Sequence, residues 1–308
     1  MWYALGRDDL AAFVMRWWVL LGAVACAVAA ICVVAVRSAL RASRELHMPR
    51  VRVSVDAERQ AFAEVPGLER VTLRTADGLA LNGLFAPGKR RASVILVHGG
   101  GGNRLQLLPE ARVLARHGYG VLLYDSRASG ESDGDITTWG DREQHDAIAA
   151  VDSMSMRPDV DPNRICLLGF SIGGSTVALA AARDRRVRCV ILYATWSSLE
   201  EEMQNKYGKY GVLSWGTVLY VFRRSGVNVE NVRPIDHIRE ISPRPLLMII
   251  GTLDDDTPVP IMERLFAAAG EPKELWKVPG GHHGDCSTVA PREYEAKVVS
   301  FLERSLPR

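Results

Sequence analysis

A serine hydroxyl is a poor nucleophile until a base takes its proton, so the informative serine is one held in a tight turn with a histidine and a carboxylate to serve it. Gly169-Phe170-Ser171-Ile172-Gly173 provides that turn. The pentapeptide alone is a weak signal, but its context is not. The apolar run RICLLGF (164–170) leads into it, and the alanine-rich stretch GGSTVALAAA leads out. A strand entering and a helix leaving would lift Ser171 above a sheet edge, at a helix N-terminus that stabilises developing negative charge. The flanking glycines let the chain reverse sharply and keep side chains off the serine. The base is expected in Pro279-Gly280-Gly281-His282-His283-Gly284-Asp285, and the orienting acid in Gly251-Thr252-Leu253-Asp254-Asp255-Asp256-Thr257-Pro258. Each loop directly follows an expected strand. Such a set would do acyl transfer through a covalent intermediate.

Those loops need a scaffold that alternates strands with helices. ERVTLRT (69–75), the turn at Asp77-Gly78 and LALNGLFA (79–86) read as an antiparallel hairpin. Further strands are expected at 93–99, 120–125, 164–170, 187–193, 245–251 and 273–278. Helices are expected around 104–117, 140–156, 173–183, 259–269 and 290–305. This rhythm implies an α/β fold with a mostly parallel sheet covered on both faces, and sites at the carboxyl ends of the strands. The segment from 196 to 240 breaks the rhythm and reads as a lid-like insertion, rich in aromatics and charge: Trp196, Tyr207, Tyr210, Trp215, Tyr220 and Arg223.

From about residue 69 to 305 the chain resembles the α/β-hydrolase superfamily, especially its esterase, lysophospholipase and serine-aminopeptidase-like members. In that superfamily the acid commonly takes the fourth place of a G-x-x-D-x-x-x-P run, which implies Asp254, between Gly251 and Pro258. The histidine closes a P-G-x-G-H run, which implies His283, although His282 stands where glycine is usual. Val97-His98-Gly99-Gly100-Gly101-Gly102-Asn103 is similar to the superfamily's HG-rich loop. The resemblance implies an oxyanion hole built from the backbone amides of Gly100 and Ile172, with His98 propping the loop. Asp125 to Ser132 is similar to the superfamily's G-x-G-x-S segment, with Ala128 in place of the first glycine. The expected activity is hydrolysis of a small-molecule acyl ester by Ser171, His283 and Asp254. Peptide, amide or thioester cleavage would use the same machinery, and a non-catalytic binding protein on the scaffold is the rival from another class.

The remaining features bound this reading. Trp17 to Val36 is twenty residues without a charge, WWVLLGAVACAVAAICVVAV, enough for one membrane-spanning helix with tryptophans at one interface. Residues 1–45 are therefore expected to form a lipid-embedded anchor and connector, and residues 46–308 a catalytic domain. Arg37, Arg41, Arg44, Arg50 and Arg52 follow the span, which leans the catalytic domain to the cytoplasmic side of a single-pass arrangement. A net charge of +2, from 38 basic and 36 acidic side chains, gives no footprint for a nucleic-acid partner. The glycine loop has neither G-x-G-x-x-G nor a following GK[ST], so no dinucleotide or phosphate cofactor is expected. The five cysteines show no CxxC spacing, and adjacent histidines rarely converge on one ion, so no metal is expected.

Overall fold

The computed structural model describes residues 7–306. Its centre is an eight-stranded sheet in the order β1-β2-β4-β3-β5-β6-β7-β8. Strands β1 (Glu69–Arg74) and β2 (Ala80–Ala86) form the hairpin, and β2 runs antiparallel to β4 (Gly120–Tyr124). All other pairings are parallel, among β3 (Ser93–Val97), β4, β5 (Ile165–Phe170), β6 (Val187–Tyr193), β7 (Leu246–Gly251) and β8 (Lys273–Val278). Every residue of β3, β4, β5 and β7 is buried, which is why these strands read as unbroken apolar runs and not as alternating ones.

Connecting helices close both faces: α3 (Leu108–Arg116), α4 (Glu143–Ser155), α5 (Ile172–Arg183), α9 (Val259–Ala268) and α11 (Pro291–Ser305), the last preceded by the single turn α10 (Cys286–Val289). Between β6 and β7 the chain leaves the sheet to form α6 (Leu199–Tyr207), α7 (Val212–Arg224) and the short α8 (Pro234–His237). Beneath this insertion lies a second apolar cluster, separate from the sheet core, in which Trp139, Trp196, Val218 and Phe222 meet.

The N-terminal region departs from the expected boundaries. Helix α1 spans Arg7–Leu46 without interruption, so the stretch read as a connector after Val36 is helical. Its apolar part is long enough to cross a membrane and has none of its span buried. Past the span, Ser38, Ala42 and Leu46 are buried at intervals of four, which marks one helix face. That face lies on α7: Ser38 Oγ donates to Ser214 Oγ at 3.4 Å, and Ala42 and Leu46 join the cluster under the insertion. Packing, more than propensity, carries the helix beyond the arginines. The polar stretch that follows also holds α2 (Val55–Glu64), capped by Ser54 Oγ accepting from the Ala57 amide at 3.1 Å. Ala61 on this helix, with Val65 just after it, is buried in the sheet core, and Phe62 packs against it.

Candidate active site

Strand β5 ends at Phe170 and α5 begins at Ile172, so the reversal falls on Ser171 alone. Its backbone sits at φ 54°, ψ −117°, a conformation L-residues rarely adopt. Two glycines make the turn possible. A Cβ on Gly169 would lie 2.2 Å from the Gly173 carbonyl oxygen, and one on Gly173 would lie 2.1 Å from that of Val97. The β5-to-α5 reversal is therefore packed too closely for any side chain at either place.

From this turn the serine meets the two loops that follow β7 and β8. His283 Nε2 stands 3.1 Å from Ser171 Oγ. On the far side of the ring, Nδ1 lies 2.9 Å and 3.1 Å from the two carboxylate oxygens of Asp254. The Asp254 side chain is fully buried, and its Oδ1 also accepts from the Thr257 amide at 2.7 Å. A carboxylate facing Nδ1 fixes the proton there, which leaves the Nε2 lone pair directed at the serine hydroxyl. Phe170 packs against the imidazole with ring centroids 4.8 Å apart.

The neighbouring acids and histidine do not converge on the serine. Asp255 and Asp256 are exposed, and so is His282, whose backbone amide donates to Asp285 Oδ1 at 2.6 Å. In each loop one side chain joins the hydrogen-bonded chain to Ser171, and its neighbours make no hydrogen bond to it.

The glycine-rich loop after β3 completes the floor. An added Cβ on Gly100 would fall 2.5 Å from Ile172 Cδ1, so these two residues adjoin beside the serine. The Ile172 amide opens α5 and has no intrahelical acceptor, and among the described residues the Gly100 amide has none either. Both are free to donate to an oxygen in the cleft. His98, one strand-end earlier, is buried and locked in a different task. The Ser126 amide donates to His98 Nε2 at 3.0 Å, so Nδ1 carries the proton and donates to the Gly99 carbonyl at 2.7 Å. Burial lowers the pKa of His98 and holds it in that neutral form. Ala128, at the place of the missing glycine, adopts φ 57°, so the loop keeps a left-handed conformation that a glycine would hold with less strain.

Above Ser171 lies a cleft of about 170 Å³, lined by Met48, Gly100, Trp139, Ile172, Glu202, Lys206, Asp256 and His283. Four of these had no signal pointing to the site. Trp139 lies in a loop and takes φ 59°, unusual for a bulky residue, held by Trp196 and Phe222 with ring centroids at 5.7 Å and 6.2 Å. Met48 lies two residues beyond the end of α1. Glu202 and Lys206 fall in the charged run LEEEMQNK, which reads as a solvated face. The only usable clue was spacing, since Leu199, Glu202 and Met203 share one side of α6 and are all buried.

Comparison with known proteins agrees with this architecture. The prolyl oligopeptidase family model matches residues 106–307, well over half of the chain. The uncharacterized protein Rv2307c of Mycobacterium tuberculosis is 32% identical over 248 residues, covering 79% of this chain and 82% of that protein. Among solved structures, the esterase Pf2001 of Pyrococcus furiosus is 25% identical, with a TM-score of 0.69 and coverage of 84% of this chain and 99% of that one. The alpha/beta hydrolase GrgF from a Penicillium species is also 25% identical, with a TM-score of 0.64 and coverage of 78% and 99%. The matched segment contains the elbow and both loops that meet it, and the chain belongs to the prolyl oligopeptidase family, within the α/β-hydrolase superfamily.

Proposed function

We propose that this chain is a membrane-tethered serine hydrolase that cleaves carboxylic esters of an amphiphilic kind. The observation that carries the reading is the hydrogen-bonded relay from Asp254 through His283 to Ser171 Oγ, with 3.1 Å at the last step. In the proposed reaction His283 Nε2 takes the serine proton as Oγ attacks the acyl carbon, and Asp254 stabilises the imidazolium. The amides of Gly100 and Ile172 hold the tetrahedral oxyanion. His283 then protonates the departing alcohol, which leaves an acyl-enzyme at Ser171. A water deprotonated by the same histidine attacks that ester and releases the acid, and the proton returns to Ser171 Oγ.

Support for an amphiphilic ester comes from α1. The helix that carries the candidate span also packs on α7, and Met48, two residues beyond its end, lines the cleft. The arginines after the span favour a cytoplasmic catalytic body. A second reading, amide or peptide cleavage, is favoured by the family's name, and a small cleft of about 170 Å³ weighs against long peptides.

The test is a fluorophosphonate probe followed by a substrate panel on the full chain in detergent. Expected are labelling that Ser171→Ala abolishes and turnover of esters well above that of aminoacyl amides. Preferential amide turnover would replace the ester reading. A folded wild type that neither labels nor turns over any member would point to a binding protein instead.

A further inference from the structure

Glu202 is 5% exposed and lines the cleft beside Ser171 and His283, yet its Oε2 is fully buried without a hydrogen-bond partner. Three buried carboxylates elsewhere in the fold are treated differently. Glu143 takes the Thr138 amide and hydroxyl, both at 2.6 Å, and the Gly140 amide at 2.8 Å. Asp125 takes the Arg104 amide and guanidinium, at 2.6 Å and 2.5 Å. Asp146 takes the Arg127 amide and its guanidinium, at 2.9 Å and 2.6 Å. Leaving one such group unsatisfied costs stability, and a cost retained at the mouth of a site is offset when a ligand supplies the missing donor.

We propose that Glu202 is the acceptor of a substrate-binding subsite that selects esters carrying a free hydroxyl next to the scissile bond. The inference rests on the ester-hydrolase reading above and specifies its substrate. A neutral donor fits better than an ammonium. Lys206, one helical turn further on, lines the same cleft, and a second cation would meet it. Lys206 is itself engaged elsewhere: its Nζ lies 5.0 Å from the Trp139 ring centroid and 3.5 Å from Glu45 Oε1. The charged and titratable groups that bear on Glu202 include Lys206, His283, Asp254, Asp256 and Tyr207, and none of them gives its Oε2 a hydrogen bond. Burial outweighs the attraction of Lys206 and pushes its carboxyl up to about 7.

Two matched ester pairs test the subsite: 1-butyrylglycerol against its dimethoxy analogue, and 4-nitrophenyl 3-hydroxybutyrate against the plain butyrate. At pH 8, where the Glu202 carboxyl is ionised, the wild type is expected to favour the hydroxylated member of at least one pair in kcat/KM by about 10- to 100-fold, the range for a hydrogen bond to a charged group. Glu202→Met should bring that ratio close to one, while Glu202→Gln, which keeps an acceptor oxygen, should retain part of it. Melting curves of both variants establish that they fold. Should Glu202→Met be unfolded, an undiminished ratio in Glu202→Gln at both pH 6 and pH 8 counts against the subsite. No hydroxyl preference in the wild type for either pair, or one that Glu202→Met leaves intact, overturns it. Failure of the hydrolase reading would look different, because plain butyrate would then not be turned over at all.

Discussion

At the scale of single residues, the site turns on which of several neighbouring groups faces inward. Four aspartates and two histidines stand in the two loops, and only Asp254 and His283 form the chain of hydrogen bonds to Ser171. Replacing Asp254 with Asn should therefore lower kcat by about 10³- to 10⁴-fold, because the amide favours the wrong tautomer of His283. Asp255→Asn and His282→Ala should stay within a few-fold of wild type in the same assay. Equal losses for Asp254→Asn and Asp255→Asn would show that the relay is not used. The motif register had pointed to the pair that converges, because loop position after a strand end fixes which side chain faces the sheet edge. Glu202 was not legible, since inwardness on a short, highly charged helix depends on what packs over it.

Glu202 also makes a stability prediction. Its carboxyl is raised from an ordinary 4.5 to about 7, so the folded state holds the proton more tightly than the unfolded state does. Stability from this group is present below pH 4.5 and is lost as pH rises through 7. Glu202→Gln should thus match the wild type near pH 4.5 and exceed it at pH 8, by up to about 3 kcal/mol at 1.4 kcal/mol per pH unit. Thermal melting at the two pH values reads the difference, and a variant no more stable at pH 8 than the wild type would contradict the burial argument.

Among the elements, α1 and α7 carry the least expected relationship. Apolar length marked the candidate span, but nothing in the arginine-rich sequence after Val36 announced that the same helix continues to Leu46 and packs on the insertion. Strand positions were far more legible, because β3, β4, β5 and β7 are buried on both faces and so carry unbroken apolar runs. The insertion's outline was visible in its broken rhythm, whereas its contact with α1 is a tertiary fact that local pattern does not encode. Leu46, 1% exposed between α1 and α7, should cost about 2–4 kcal/mol when cut to Ala. By the same logic, a chain starting at residue 37 should melt well above one starting at residue 47, since only the first retains Ser38, Ala42 and Leu46. Equal melting temperatures would show that the α1–α7 contact contributes little.

For the whole molecule, the sheet order places the Ser171 elbow in the middle of eight strands and the acid and histidine loops at the ends of the last two. Sidedness is the property to measure next. With the arginine flank inside, external protease added to intact bacterial spheroplasts should leave the 46–308 body uncut, and lysis should expose it. Digestion before lysis would place the body on the outer side.

The uninterrupted α1 has one more consequence. A helix without a hinge acts as a strut, and ten residues separate Val36 from Leu46, about 15 Å along the axis at 1.5 Å per residue. With the apolar run in a bilayer, the reactive hydroxyl would hover at a set altitude over the lipid instead of dipping into it. A molecule with two fatty tails rarely rises that far, whereas one with a single tail does so readily, so the strut itself would sort lipids by how easily they leave home.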